Sequence, residues 1–277
     1  MKKFAVEVII SGLLLLAGYW SNQPFLESGF SQAGLITLTT FVLTFVVTNF
    51  SRLTLSIYLI WLSISGQRVR FSMAYLYLIK IEDKYLLVKN FNFGHYQLVG
   101  GKYKRFERTQ SILSNDFETR DDLKLANSGG MKDDFALFVP AAKALKFLDW
   151  FNTGKDREVS HWREFYEELI EGKSSVLSQK NFKYVNYYFK GTVRTPIHTT
   201  PGWGCKEILQ YDILELIPTP TQYDELKTLY EQGDTDYIKW ADEELIQCLG
   251  HCNRQKRLLY KIGAHTKWAI NMEWSGT

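Results

Sequence analysis

The feature that most constrains this chain is a change of hydrophobic period at Arg68. Upstream of it the apolar residues come in long, nearly uncharged runs. Downstream, Val69, Phe71, Met73, Tyr75, Tyr77 and Ile79 alternate with smaller or polar neighbours. A period of two predicts a half-buried strand. Two parts with different surroundings are therefore expected, residues 1–66 and residues 67–277.

Two runs fill the first part. Phe4 to Trp20 is interrupted only by Glu7 and Ser11, and Gly34 to Phe50 carries no charge. Each approaches the roughly 20 residues that cross about 30 Å of hydrocarbon, so the pair reads as a two-helix transmembrane hairpin with spans over 4–20 and 34–50. Lys2 and Lys3 precede the first run, Arg52, Arg68 and Arg70 follow the second, and the loop from Ser21 to Ala33 has Glu27 but no Lys or Arg. The positive-inside rule then places both termini in the cytoplasm. Leu53 to Trp61 either extends the second span or lies along the membrane surface.

Charge and cysteine usage limit the partners. A net charge of +3 over 277 residues is too mild for a duplex nucleic-acid partner. Cys205, Cys248 and Cys252 make no disulfide framework and fit a reducing compartment. With no second pair at finger spacing, Cys248, His251 and Cys252 read as helix-face residues rather than a zinc site.

Along the second part, Glu82-Asp83-Lys84 predicts a turn into the arm Tyr85 to Val88. Asn90 to His95 predicts a loop, and Tyr96 to Val99 a further strand that runs into Gly100-Gly101. A polar stretch, Asn115 to Asp134, precedes the apolar run Phe135 to Val139 and a helix around Ala141 to Phe151. Further on, Phe182 to Val193 and Lys206 to Ile217 are β-prone, and helices are expected over Thr219 to Leu229 and Thr235 to Leu249. The chain thus reads as α+β. Tyr184, Tyr187, Tyr188, Phe189 and Trp203 are candidates to stack on a base, and Arg105, Arg108 and Arg120 to meet phosphate.

One stretch stands out for chemistry. In Arg163-Glu164-Phe165-Tyr166-Glu167-Glu168, on a helix expected from Ser160 to Gly172, the glutamates stand at i, i+3 and i+4. Three carboxylates on one face suit a single Mg²⁺ or Mn²⁺, while Trp162, Phe165, Tyr166 and Leu169 face the core. The same spacing also describes a solvated acidic face.

Gly101 to Glu107 and Arg163 to Glu168 together resemble the two halves of a NUDIX box, G-x5-E-x7-R-E-U-x-E-E-x-G-U with U apolar. Gly101 and Glu107 match its first G and E, and Arg163 to Glu168 match R-E-U-x-E-E, displaced by an insertion over residues 108–160. Ile170 and Glu171 depart from the tail of the box, with Gly172 slipped along, and Val99 stands where the family usually has Pro. The resemblance implies a NUDIX-like α/β/α sandwich. It further implies a nucleotide site at Gly100, Gly101, Arg105, Glu107 and Arg163, with Glu164, Glu167 and Glu168 as Mg²⁺ ligands.

Joined to two spans, this domain resembles the SMODS-associated NUDIX proteins, the two-transmembrane effectors of the cyclic-oligonucleotide-based antiphage signalling system (CBASS). That resemblance implies a bacterial inner-membrane protein that binds a cyclic di- or trinucleotide made by a cGAS/DncV-like nucleotidyltransferase. It implies homo-oligomerisation on activation, disruption of the membrane lipid and abortive infection. The alternative is a membrane-anchored, Mg²⁺-dependent NUDIX hydrolase of nucleoside diphosphate derivatives, in which Glu164, Glu167 and Glu168 would be catalytic.

Overall fold

The computed structural model describes residues 24–122, 133–172, 175–199 and 204–275, with 24–32 and 35 by backbone alone. The chain divides into two compact units, Met1–Trp61 and Leu62–Thr277.

The first unit corrects the hairpin. Helix α1 runs from Pro24 to Thr48, straight through the segment expected to be the connecting loop. A second helix, α2 (Phe50–Ile64), follows at a bend of 71°. Among the described residues no single helix is long and apolar enough to cross a membrane. The expected span 34–50 is the end of α1 and the break after it, while the expected span 4–20 lies outside the described residues. The physical reason is local. Pro24 is tolerated in a first helical turn and starts the helix early. At the other end the Thr48 and Asn49 side chains donate to the carbonyls of Thr44 (2.7 Å) and Phe45 (2.9 Å), competing with the backbone ladder where the axis bends. Val47, Phe50, Ile57, Ile60 and Trp61 leave large apolar side chains exposed.

In place of the expected sandwich, the second unit is a sheet-rich α+β body built around strand β1 (Arg68–Leu78). One edge of β1 pairs in parallel with β9 (Lys206–Ile217) from Arg70↔Glu207 to Leu78↔Glu215. Its other edge is shared. Arg68–Ser72 pair antiparallel with β6 (Ala136–Pro140), and Ala74–Tyr77 with β4 (His95–Lys102). Outward from β4 lie β3 (Lys84–Asn90), with the short β2 (Lys80–Ile81), and β10 (Ile238–Asp242). Outward from β6 lies β5 (Arg120–Asp121), and on the far side of β9 lie β7 (Asn186–Arg194) and β8 (His198–Thr199).

Because β1 has neighbours on both edges and cover on both faces, every residue after Arg68 in it is buried, so it is not the half-buried strand its alternation predicts. The alternation instead sorts two cores. Phe71 and Tyr77 meet Phe147 and Phe165 on one face. Leu76 and Leu78 join Leu98, Ile213, Ile262 and Trp268 on the other.

The segment 108–160 belongs to this core. It supplies helix α3 (Thr109–Asn115), strands β5 and β6, a 3-10 turn at Ala141–Lys143 and helix α4 (Ala144–Asn152), with Phe117, Phe135, Phe147 and Phe151 fully buried. The Gly129-Gly130 part of its polar stretch lies outside the described residues. The carboxylate segment starts as a short α-helix, α5 (Trp162–Tyr166), and continues as a π turn, Glu167–Glu171, that ends at an extended Gly172. Helix α6 (Pro220–Gln232) opens on a Thr219–Gln222 capping box. Where one helix was expected over Thr235 to Leu249 there are two elements, β10 and the short helix α7 (Glu243–Gln247), which starts at an Asp242 cap. Beyond it come the small hairpin β11 (His251–Cys252) and β12 (Arg257–Leu258), then helix α8 (Ala264–Asn271). The three cysteines form no disulfide and are partly buried.

Candidate functional site

The end of β4 and the carboxylate helix meet across the sheet. Strand β4 carries Gly100 and Gly101 at its close, and both glycines are needed for close approach. A side chain at Gly100, whose φ is 140°, would strike the Tyr75 carbonyl, and one at Gly101 would fall on the Glu164 carboxylate. With no side chains in the way, the Gly100 N–H donates to Glu168 Oε2 at 2.8 Å.

Arg163 is the hub of the acidic helix. Its Nε and Nη2 donate to Glu158 (3.0 and 3.3 Å), its Nη1 to Glu164 (2.6 Å) and Glu167 (3.2 Å), and its Nη2 also to the Lys102 carbonyl (2.8 Å). Glu158 accepts from the Lys104 N–H as well (2.8 Å), and Asp134 pairs with Lys104 (2.6 Å) and Lys102 (3.6 Å). This network holds Asp134, Glu158, Glu164, Glu167 and Glu168 against Lys102, Lys104 and Arg163, an excess of two negative charges.

Burial dominates the electrostatics of this network, with the charges second. Burial, then the Glu164 charge, push the Glu168 carboxyl well above the usual carboxylate range, and the Gly100 hydrogen bond only partly opposes them. Burial raises Glu164 too, against the pull of Arg163. Burial by itself lowers the Arg163 pKa, but its bonds to Glu158 and Glu164 reverse the sign and raise it. Lys102 is lowered by burial.

Among the described residues no three His, Cys, Asp or Glu side chains converge as a ready-made metal site. The donor set nonetheless fits a hard divalent cation by chemistry, all carboxylate oxygens with two charges uncompensated. Such a cation would compete with Arg163 for Glu164 and Glu167.

Of the residues singled out in the sequence, Gly100, Gly101, Arg163, Glu164, Glu167 and Glu168 are brought together. Glu107 is not, since it lies exposed in the turn before α3. Arg105 turns to Asp121 on β5 (2.6 Å), and Arg108 to Asp156 (3.6 Å) and the Phe106 ring. Arg120 sits on β5 itself. Tyr184, Tyr188 and Phe189 are exposed on or beside the edge strand β7, and Trp203 lies outside the described residues. Glu243 accepts from Tyr85 (3.0 Å) and Glu244 from Asn253 (3.3 Å).

The sequence reading passed over Glu158, Lys102 and a second polar cluster beside the helix. In that cluster the Tyr103 hydroxyl lies 2.6 Å from Asp212 and 2.8 Å from His161 Nε2, and His161 Nδ1 lies 2.9 Å from the Tyr187 hydroxyl. Tyr77 donates to the His161 carbonyl (3.1 Å), and the Glu164 N–H donates to the Tyr75 hydroxyl (3.2 Å). The helix has no side-chain cap of its own. Tyrosine hydroxyls from β1 serve its first turn instead. The spacing of Gly101, near the end of β4, and Tyr103, just past it, was the available signal, because residues two apart in extended chain share a face.

No curated protein and no solved structure matches the chain. A family model does match, that of the SMODS-associated NUDIX domain, over residues 68–270. The match covers β1 through α8, with the glycine strand, the displaced acidic helix and the segment between them inside a single domain, so the chain belongs to the SMODS-associated NUDIX domain family.

Proposed function

We propose that this chain is the effector of a CBASS antiphage system. Its sheet domain binds a cyclic di- or trinucleotide made by a cGAS/DncV-like nucleotidyltransferase. Binding gathers copies into a homo-oligomer that acts on the lipid of the bacterial inner membrane and ends in abortive infection. The observation that carries the reading is the approach of Gly100 and Gly101 to the Arg163–Glu168 helix within a domain of this family. A guanidinium and a set of carboxylates able to take a divalent cation lie together there, groups that a phosphate-bearing ligand with its cation can use. Glu164, Glu167 and Glu168 would hold Mg²⁺, which when bound neutralises ligand phosphates. The membrane half rests on the exposed apolar side chains of the bent α1–α2 pair.

A second reading, a Mg²⁺-dependent NUDIX hydrolase, draws on the same carboxylates. Product analysis separates the two: with Mg²⁺ present a sensor leaves nucleoside diphosphate derivatives and its cyclic nucleotide intact, whereas a hydrolase turns over a diphosphate and loses that turnover in Glu167→Gln with Glu168→Gln. Thermal stabilisation of the full chain by a panel of cyclic di- and trinucleotides tests the binding step, with RT ln(1 + [L]/Kd) giving about 2.7 kcal/mol at a hundredfold excess over Kd. Absence of any shift across the panel, together with turnover of a diphosphate substrate, would reverse the preference.

A further inference from the structure

The second polar cluster has a direction. Asp212 is a carboxylate and only accepts, taking Tyr103 Oη–H at one oxygen (2.6 Å) and Thr192 Oγ1–H at the other (2.7 Å). The single proton of Tyr103 is thereby spent. The 2.8 Å contact between Tyr103 Oη and His161 Nε2 then needs its proton from the imidazole, so Nε2 carries the hydrogen. Nδ1 is left as a bare acceptor, and the Tyr187 hydroxyl 2.9 Å away must donate to it. Every proton in the chain is assigned inward, toward Asp212.

The consequence falls on Tyr187. Its hydroxyl hydrogen is committed to His161, its ring packs edge-on against Tyr77 and His161, and it is 37% exposed on the edge strand β7. Its oxygen is therefore an acceptor with no proton to give. The imidazole is flanked by Tyr75 and Tyr103 as well (ring centroids 4.9 and 5.6 Å). Burial also lowers the His161 pKa, which keeps Nδ1 unprotonated at neutral pH.

We infer that Tyr187 is a specificity-determining contact, its oxygen taking an N–H or O–H donor of the ligand that lies against the start of the carboxylate helix. The inference rests on the nucleotide reading above and names the kind of group recognised there, an exocyclic amine of a base or a ribose hydroxyl. A ligand presenting only an acceptor at this point, such as a base carbonyl, meets two opposed oxygens and is rejected.

The test has two parts and uses the full chain. Nitrogen-15 spectra of the histidines should show one imidazole with a slowly exchanging Nε2 proton and an unprotonated Nδ1, assigned to His161 by its loss in His161→Asn. Asp212→Asn should release that tautomer. Affinities for cyclic di-AMP, cyclic di-GMP and their 2′-deoxy forms are then compared between the natural chain and Tyr187→Phe. The variant should bind the preferred probe about tenfold more weakly, as expected for one lost hydrogen bond. If the 2′-deoxy form of that probe already binds the natural chain that weakly and the variant weakens it no further, the donor is the ribose hydroxyl. If the deoxy form binds normally and is weakened by the variant, the donor is the base. Equal affinities of variant and natural chain for every probe that binds would overturn the inference and leave the nucleotide reading standing. An Nδ1–H tautomer would overturn it without any ligand. If none of the four binds, the same comparison is made with the member of the cyclic di- and trinucleotide panel that does, and failure of the whole panel would remove the nucleotide reading and the contact with it.

Discussion

At the scale of single residues, burial decides which titratable groups set the response to acid. The His265 ring lies flat on Tyr211 (centroids 5.6 Å, 11°) and close to His95 (5.8 Å). Burial, then the nearby His95 charge, lowers its pKa from 6.5 to about 3. Between those values the unfolded chain binds a proton that the folded chain refuses, so stability rises with pH across the window and is lost as pH falls from about 6.5 toward 3. His95 and His161 are lowered by burial in the same sense. His265→Phe keeps the stacked ring and removes one of these protons. Its unfolding free energy from urea titration should therefore fall less than that of the natural chain between pH 7.5 and 4.5, by on the order of 2 kcal/mol. An identical fall in both proteins would show that His265 is accessible to protons in the folded state. Nothing in the sequence around His265 announces this, because burial and a stacking partner come from β9 and β4, far away in the chain.

Between elements, the decisive contact is the strand β4 on the acidic helix. Gly100→Ala sets a Cβ against the backbone oxygen of Tyr75 in the central strand and forces a φ of 140° on a residue that rarely adopts it. Gly101→Ala meets only the end of the Glu164 side chain. The two substitutions should therefore separate. The first destabilises the domain by about 2–4 kcal/mol in denaturant unfolding, as a strained backbone clash does. The second unfolds nearly as the natural chain does but loses binding of cyclic nucleotide and of Mg²⁺, because Glu164 is turned off its place. Equal destabilisation by both would mean that the Glu164 carboxylate is as rigid as backbone. Element by element, strands were legible where alternation or a short apolar run stood out, as at β1, β3, β4 and β9. The segment Thr235 to Leu249 was misread as one helix. Its apolar residues fit a helical period, yet Ile238 to Asp242 add a strand to the edge of β3, where backbone pairing outweighs the pattern.

For the molecule as a whole, the division at Trp61 and Leu62 sets the expectation for truncation. Residues 62–277 contain the whole sheet, the glycine strand and the acidic helix. Expressed alone they should unfold in one cooperative transition and keep the nucleotide-induced stabilisation, while losing co-sedimentation with vesicles of inner-membrane lipid. Retained sedimentation would move membrane contact onto the sheet domain.

The sequence by itself determined the change of regime at Arg68, the α+β class, most of the strands and the likeness of Gly101 and Arg163–Glu168 to a broken NUDIX box, because each is a matter of local period or residue type. It misjudged the first unit, since hydropathy counts apolar residues without seeing that α1 starts at Pro24 and passes through the presumed loop. Only the tertiary structure decided that Gly101 meets Arg163–Glu168 in space while Glu107 stays apart, with the segment between them threaded into the sheet as β6 rather than hung outside it. The Asp212–Tyr103–His161–Tyr187 chain belongs to the tertiary structure alone. Its members come from β9, the end of β4, the start of the acidic helix and β7, and the direction of its protons exists only when all four are in place.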